Sequence, residues 1–214
     1  MTSSLDTASL DLDSLRAAPL RHDPYDYVVV PNFVRHAAFE EIVADYPEIA
    51  RTGSYPPSML RYGGRFASFL AELEGPGFRH AIEEKFALSL EGRPTMITVR
   101  GRTGDGDGYI HTDTPSKIIT VLIYFNRGWE ADGGRLRILR GPNDLGDYAE
   151  EVSPYGGTLL AFRRSEMSWH GHEKFDGQRR AIQLNWVTDM SVVNRELARH
   201  RVSAFFKKLN PFAA

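Results

Sequence analysis

The pattern of apolar and polar positions changes character once along the chain, near residue 95. Before that point apolar residues recur at helical spacing. Phe39, Ile42, Val43 and Tyr46 stand at i, i+3, i+4 and i+7, and Pro47 closes the stripe. After a loop from Gly53 to Gly64, a second stripe over 65–73 carries Phe66, Phe69, Leu70 and Leu73. A third helix follows Pro76, with Phe78, Ile82 and Phe86 on one face and Gly92-Arg93-Pro94 as its stop. A short strand, 26–30, precedes all three. From 95 onward the period is two. Strands are predicted at 95–100, 108–113, 117–126, 134–140, 157–163, 167–172 and 178–188, with turns rich in Gly, Pro, Asn and Asp between them and a final helix over about 190–208. Helices followed by closely spaced strands predict an α+β, mainly β fold: a jelly roll with N-terminal helices packed on one sheet and a C-terminal helix.

Two strands have contrasting faces. Along 178–188, Arg179, Ala181, Gln183 and Asn185 share one face, while Arg180, Ile182, Leu184 and Trp186 share the other. The apolar face calls for a helix layer. The polar face lines a wet pocket or is an ordinary exposed sheet surface, and alternation alone does not choose. In 117–126, Thr120, Leu122 and Tyr124 lie opposite Ile119, Val121, Ile123 and Phe125, so Thr120 and Tyr124 are candidates for the same pocket.

Composition narrows the chemistry. The 214 residues suit one domain with a real core, and a net charge of −2 gives no electrostatic footprint for nucleic acid. The chain has no cysteine, which removes disulfides, thiolate nucleophiles and sulfur-ligated metals, so any metal must be held by imidazole and carboxylate. The first 24 residues lack the basic start and apolar run of a signal peptide, and no window has the length of a membrane span. The expectation is a cytoplasmic protein, with 1–24 a loosely ordered leader and 25–214 a single domain whose jelly-roll core covers about 95–188.

His111-Thr112-Asp113 is the first candidate for chemistry, because residues two apart on a strand converge on one face. Alone it is a weak motif that a surface pair satisfies equally well. His170, 57 residues after Asp113, strengthens it: two histidines and a carboxylate on different strands make a facial triad with metal positions left open. Arg179 on the polar face has the planar fork suited to a carboxylate. The Gly101–Gly108 run lacks the Lys-Ser/Thr of a phosphate loop and the closing Glu of a calcium loop, and reads as a hairpin loop at a pocket mouth.

From about 97 to 188 the chain resembles the prolyl 4-hydroxylase-like 2-oxoglutarate/Fe(II)-dependent dioxygenases. The matching words, in order, are His111-Thr-Asp113, Leu122-Ile-Tyr124-Phe-Asn126 with Trp129, Gly133-Gly134-Arg-Leu136, Gly156-Gly157-Thr-Leu159-Leu160-Ala-Phe162, and His170 with Arg179 nine residues later. The resemblance implies a double-stranded β-helix, with His111, Asp113 and His170 as iron ligands. It implies Arg179, assisted by Tyr124, at the distal carboxylate of 2-oxoglutarate, and a reaction that takes dioxygen, releases succinate and CO2, and draws on ascorbate as a reductant. Arg100 and Arg102 stand where many relatives carry a tyrosine, and His172 is an extra histidine beside His170; their roles are open. The spacing to Arg179 favours His170 over His172 as ligand. A rival reading is a non-catalytic jelly-roll module that binds a metal or ligand. The substrate is left open among peptidyl, metabolite and saccharide classes. The C-terminal stripe of Ala198, Val202, Phe205 and Leu209, with Arg and Lys around it, leaves self-packing, a homo-oligomer contact or a membrane-surface contact open.

Overall fold

A computed structural model describes residues 8–209, with side chains described through Arg199. The elements run α1 (Leu12–Ala17), β1 (Tyr27–Val30), α2 (His36–Ala44), a 3-10 turn at Pro57–Met59, α3 (Gly64–Leu73) and α4 (Pro76–Phe86). Then come β2 (Thr95–Thr103), β3 (Lys117–Tyr124), β4 (Leu136–Leu139), β5 (Tyr148–Val152), β6 (Leu159–Arg163), β7 (His170–Gly171), β8 (Gly177–Val187) and α5 (Met190–Leu209). Two antiparallel sheets result, a five-stranded one in the order β1-β6-β3-β8-β2 and a three-stranded one in the order β5-β4-β7.

The apolar periodicities account for the packing. The stripes of α2, α3 and α4 are buried and form one core with the outer face of the large sheet, where Ile119, Val121, Ile182, Leu184 and Trp186 point. Phe125 sits against Phe39 and Phe69, and Trp186 against Phe78. On its inner face the large sheet contributes Tyr27, Tyr124, Leu160 and Phe162 to a second cluster, completed by Leu136, Ile138 and Val152 of the small sheet. Complete burial of an aliphatic or aromatic side chain is worth roughly 1.5–3 kcal/mol, so the first layer holds the helices on the large sheet and the second sets the distance between the sheets.

Two strand expectations are corrected. Residues 108–113 are not a strand: Gly108 adopts φ +94, Pro115 follows, and the segment keeps one bridge, His111 to His170. Around 167–172 only His170–Gly171 is extended, because Ser165–Ser168 closes a turn just before it. The described part of the leader is docked: Asp11 caps α1 through Ser14 N–H, Leu15 is buried, and Glu72 accepts from the Ser9 and Leu10 backbones. Helix α4 also ends before Gly92, at a left-handed Ala87 (φ 50), and the Glu83 carboxylate takes the Leu90 N–H beyond it. Strand β5 is not foreseen by the pattern, because its YAEEV sequence is acidic and half-exposed, held at the sheet edge by pairs such as Arg137–Glu151. The C-terminal stripe beyond Arg199 and residues 1–7 lie outside the described side chains. No helix among the described residues is long and apolar enough to cross a membrane.

Candidate metal centre

Two segments meet in the space between the sheets. The loop after β2 brings His111 and Asp113, β7 brings His170, and one ligand atom from each of the three lies within 4.8 Å of the others. The two histidines exchange backbone hydrogen bonds, His111 N to His170 O and His170 N to His111 O, both at 3.0 Å. Each imidazole is oriented by a carbonyl. His111 Nδ1 donates to Tyr109 O at 2.9 Å, and His170 Nδ1 donates to Ser168 O at 2.9 Å. Both Nε2 atoms are thereby left as lone-pair donors, the arrangement by which proteins preset a metal-binding histidine. Burial pushes His170 down to about 4, with the His111 charge adding and Asp113 opposing, so the ring is neutral at ordinary pH.

Asp113 is buried and charged. Burial acts to raise its pKa, but Lys117 and His170, together with the Lys117 and Thr120 hydrogen bonds, hold it below the usual carboxylate range. Lys117 Nζ donates to Oδ1 at 2.6 Å, the Thr120 hydroxyl donates to Oδ2, and Asn185 Nδ2 donates to Thr120 Oγ1 at 2.8 Å. Thr120 thus lines the pocket, as its face requires, yet its hydroxyl orients Asp113.

Lys117 is not among the sequence candidates. Its parity places it with Ile119 and Val121, on the core face. The pairing of β3 with β8 shifts between Lys117↔Val187 and Ile119↔Trp186, so two steps of β3 oppose one of β8. That extra residue reverses the alternation and turns Lys117 to the pocket side. The Thr114-Pro115-Ser116-Lys117 turn, closed by Lys117 N to Thr114 O at 3.0 Å, delivers the strand in that orientation.

Arg179 stands on the same pocket wall, 5% exposed. Its Nε donates to Gly134 O at 2.8 Å and its Nη2 to the Tyr124 hydroxyl at 3.4 Å. Gly134 needs its φ of +77, and a Cβ there would lie 2.7 Å from Trp129, so the Trp129 ring packs where a side chain at 134 would stand. Burial lowers the Arg179 pKa from its ordinary value and raises that of Tyr124, leaving a guanidinium beside a neutral phenol. No carboxylate among the described residues pairs with Arg179. On the opposite face Arg180 lies over the Tyr46 ring, and Asn126 locks its backbone by accepting Arg180 N at 2.8 Å. Arg100 also reaches the pocket, bound to Asp107 at 2.6 Å, whereas Arg102 pairs with Asp176 at the surface. His172 lines the pocket too, so both histidines of 170–172 point the same way; its Nδ1 donates to Glu173 O at 2.8 Å. The cavity enclosed by these groups has a volume of about 220 Å³.

Residues 99–188 match the 2OG-Fe(II) oxygenase superfamily. No curated protein sequence matches the chain. Among solved structures the chain is similar to a prolyl-4-hydroxylase from Pseudomonas putida, at 17% identity and a TM-score of 0.54, covering 83% of this chain and 92% of that one. It is also similar to an oxidoreductase of the 2OG-Fe(II) oxygenase family from Burkholderia pseudomallei, at 16% identity and a TM-score of 0.52, covering 82% and 88%. A third similar structure is a Trichoplax adhaerens prolyl hydroxylase in complex with a hypoxia inducible factor oxygen degradation domain peptide fragment (17% identity, TM-score 0.52, covering 83% and 87%). At these identities the likeness is one of fold.

Proposed function

We propose that this chain, whose residues 99–188 match the 2OG-Fe(II) oxygenase superfamily, is a 2-oxoglutarate-dependent dioxygenase that hydroxylates a bound substrate at an iron ion held by His111, Asp113 and His170. Two imidazoles and one carboxylate suit ferrous iron and leave coordination positions for 2-oxoglutarate and dioxygen. When bound, the iron couples oxidative decarboxylation of 2-oxoglutarate to insertion of one oxygen atom into a substrate C–H bond. The balance is one dioxygen and one 2-oxoglutarate consumed, with hydroxylated product, succinate and CO2 formed.

The protein's own part is positioning. The observation that carries the reading is Arg179, a buried cation with no carboxylate partner among the described residues, on the wall that also holds the three ligand side chains. A buried charge without a counter-charge is costly, and a dicarboxylate co-substrate supplies one. The guanidinium receives the distal carboxylate. The Tyr124 hydroxyl, which accepts from Arg179, keeps its own proton to donate to the same group. Thr120 and Asn185 hold Asp113 in one orientation.

The test is succinate formation from 2-oxoglutarate by purified protein with Fe(II) and ascorbate, in air and under nitrogen. Slow oxygen-dependent release without added substrate is expected, abolished in His111→Ala. Turnover unaffected by that substitution contradicts the ligand assignment; binding of metal and co-substrate with no turnover supports a non-catalytic binding module instead.

A further inference from the structure

Once Arg179 is assigned to the co-substrate, the pocket still holds two cations, Arg100 and Lys117. Arg100 is already matched, bonded to Asp107 and to Ser54 Oγ at 3.0 Å. Lys117 is different. Its one acceptor among the described residues is Asp113, the carboxylate assigned above to the metal. A dication on Asp113 draws on that negative charge and repels the ammonium, so the loaded site weakens the one ion pair Lys117 makes among the described residues.

Lys117 also lines a second space. A second cavity of about 200 Å³ adjoins the first and shares Ser54, Thr98, Lys117 and Gln183 with it. Its far wall is the start of α5, with Arg195, Glu196 and Arg199. Glu196 is bound by Arg199 at 2.6 Å, whereas Arg195, exposed to solvent at the cavity mouth, has no acceptor among the described residues. Gln183 gives its Nε2 to Asn185 Oδ1 at 3.1 Å, which leaves its carbonyl oxygen as an acceptor in the cavity that both cations line. Each cavity is smaller than the roughly 300–1,000 Å³ of drug-sized sites, which fits an occupant about the size of one residue.

Resting on the reading of the metal centre given above, we propose that the substrate is a small organic acid whose carboxylate is held between Lys117 and Arg195 in this second cavity, with Gln183 accepting a hydrogen bond from its polar body. A free amino acid or a similar acid meets this description. A residue in mid-peptide does not, because its carboxyl is already an amide.

The probe is calorimetric titration of protein loaded with Mn(II) and saturated with 2-oxoglutarate, using the free amino acids and, in parallel, their carboxamides. At least one acid is expected to bind about 10-fold or more tightly than its amide, the scale of one charge-assisted contact. Lys117→Met and Arg195→Gln are each expected to shrink that preference. Arg195 lines only the second cavity, so its variant reads the anion contact without disturbing Asp113. Amides that bind as well as their acids, or no acid bound by protein that holds Mn(II) and 2-oxoglutarate, overturn the proposal. Protein that takes up neither Mn(II) nor 2-oxoglutarate fails the metal-centre reading itself, a separate and recognisable result.

Discussion

His111 and His170, 59 residues apart in sequence, are joined by a reciprocal pair of backbone hydrogen bonds and carry their rings 4.4 Å apart, centroid to centroid. The two imidazoles are therefore placed by main-chain pairing and by the carbonyls at Tyr109 and Ser168, whether or not an ion lies between them. Such presetting lowers the ordering cost of binding a metal.

The two adjacent arginines of β8 have opposite duties. Arg179 faces the pocket, and Arg180 lies over Tyr46 behind the sheet. Loss of a charge-assisted carboxylate contact costs about 1.5–3 kcal/mol. Arg179→Ala is therefore expected to weaken 2-oxoglutarate binding to Mn(II)-loaded protein roughly 10- to 150-fold. Arg180→Ala should leave it near wild type. Titration giving the reverse order would place the co-substrate on the other face of the strand.

Acid should destabilise the metal-free protein through its buried histidines. His170 and His172 are both held near 4, first by burial, against an ordinary value of 6.5. Between those limits the unfolded chain binds protons that the folded chain refuses, so stability is full above about pH 6.5 and falls as pH drops towards 4. The lowered carboxyls of Asp107 and Asp113 act in the same direction but below this window, under the ordinary 3.8. A tenfold difference in proton affinity between the folded and unfolded chain corresponds to about 1.4 kcal/mol, which in a domain of this size moves the melting temperature by about 3–5 °C. His172→Gln should flatten the fall in Tm between about pH 6.5 and 4.5 by at least that much. Equal slopes in wild type and variant would mean that His172 is solvated.

The parts of this site that are legible in the sequence are those where side-chain alternation runs unbroken. Strand β8 displays two chemically distinct faces, and its pocket face carries Arg179, Ala181 and Gln183 as its pattern requires. Lys117 is hidden because one extra residue in β3 inverts the parity, and nothing in Lys-Ile-Ile-Thr marks which residue is extra. His111 and Asp113 stand out in the sequence for a partly mistaken reason. They converge as expected, but from a loop that Gly108 and Pro115 keep out of the ladder. The second cavity cannot be read at all, since it depends on where α5 returns against β2 and β8, a long-range contact with no local signature.

The central assignment is most directly tested by anaerobic absorption titration of Fe(II)-loaded protein with 2-oxoglutarate. A 2-oxo acid that binds ferrous iron through its keto and C1 carboxylate oxygens gives a weak visible band, and it can do so only where the protein leaves adjacent positions open. Wild type and His172→Ala are expected to develop the band, and His170→Ala and Asp113→Ala to lack it at equal folding. A band that survives in His170→Ala and vanishes in His172→Ala, or one that wild-type protein holding Fe(II) never develops, would contradict the assignment of His111, Asp113 and His170 as the iron ligands.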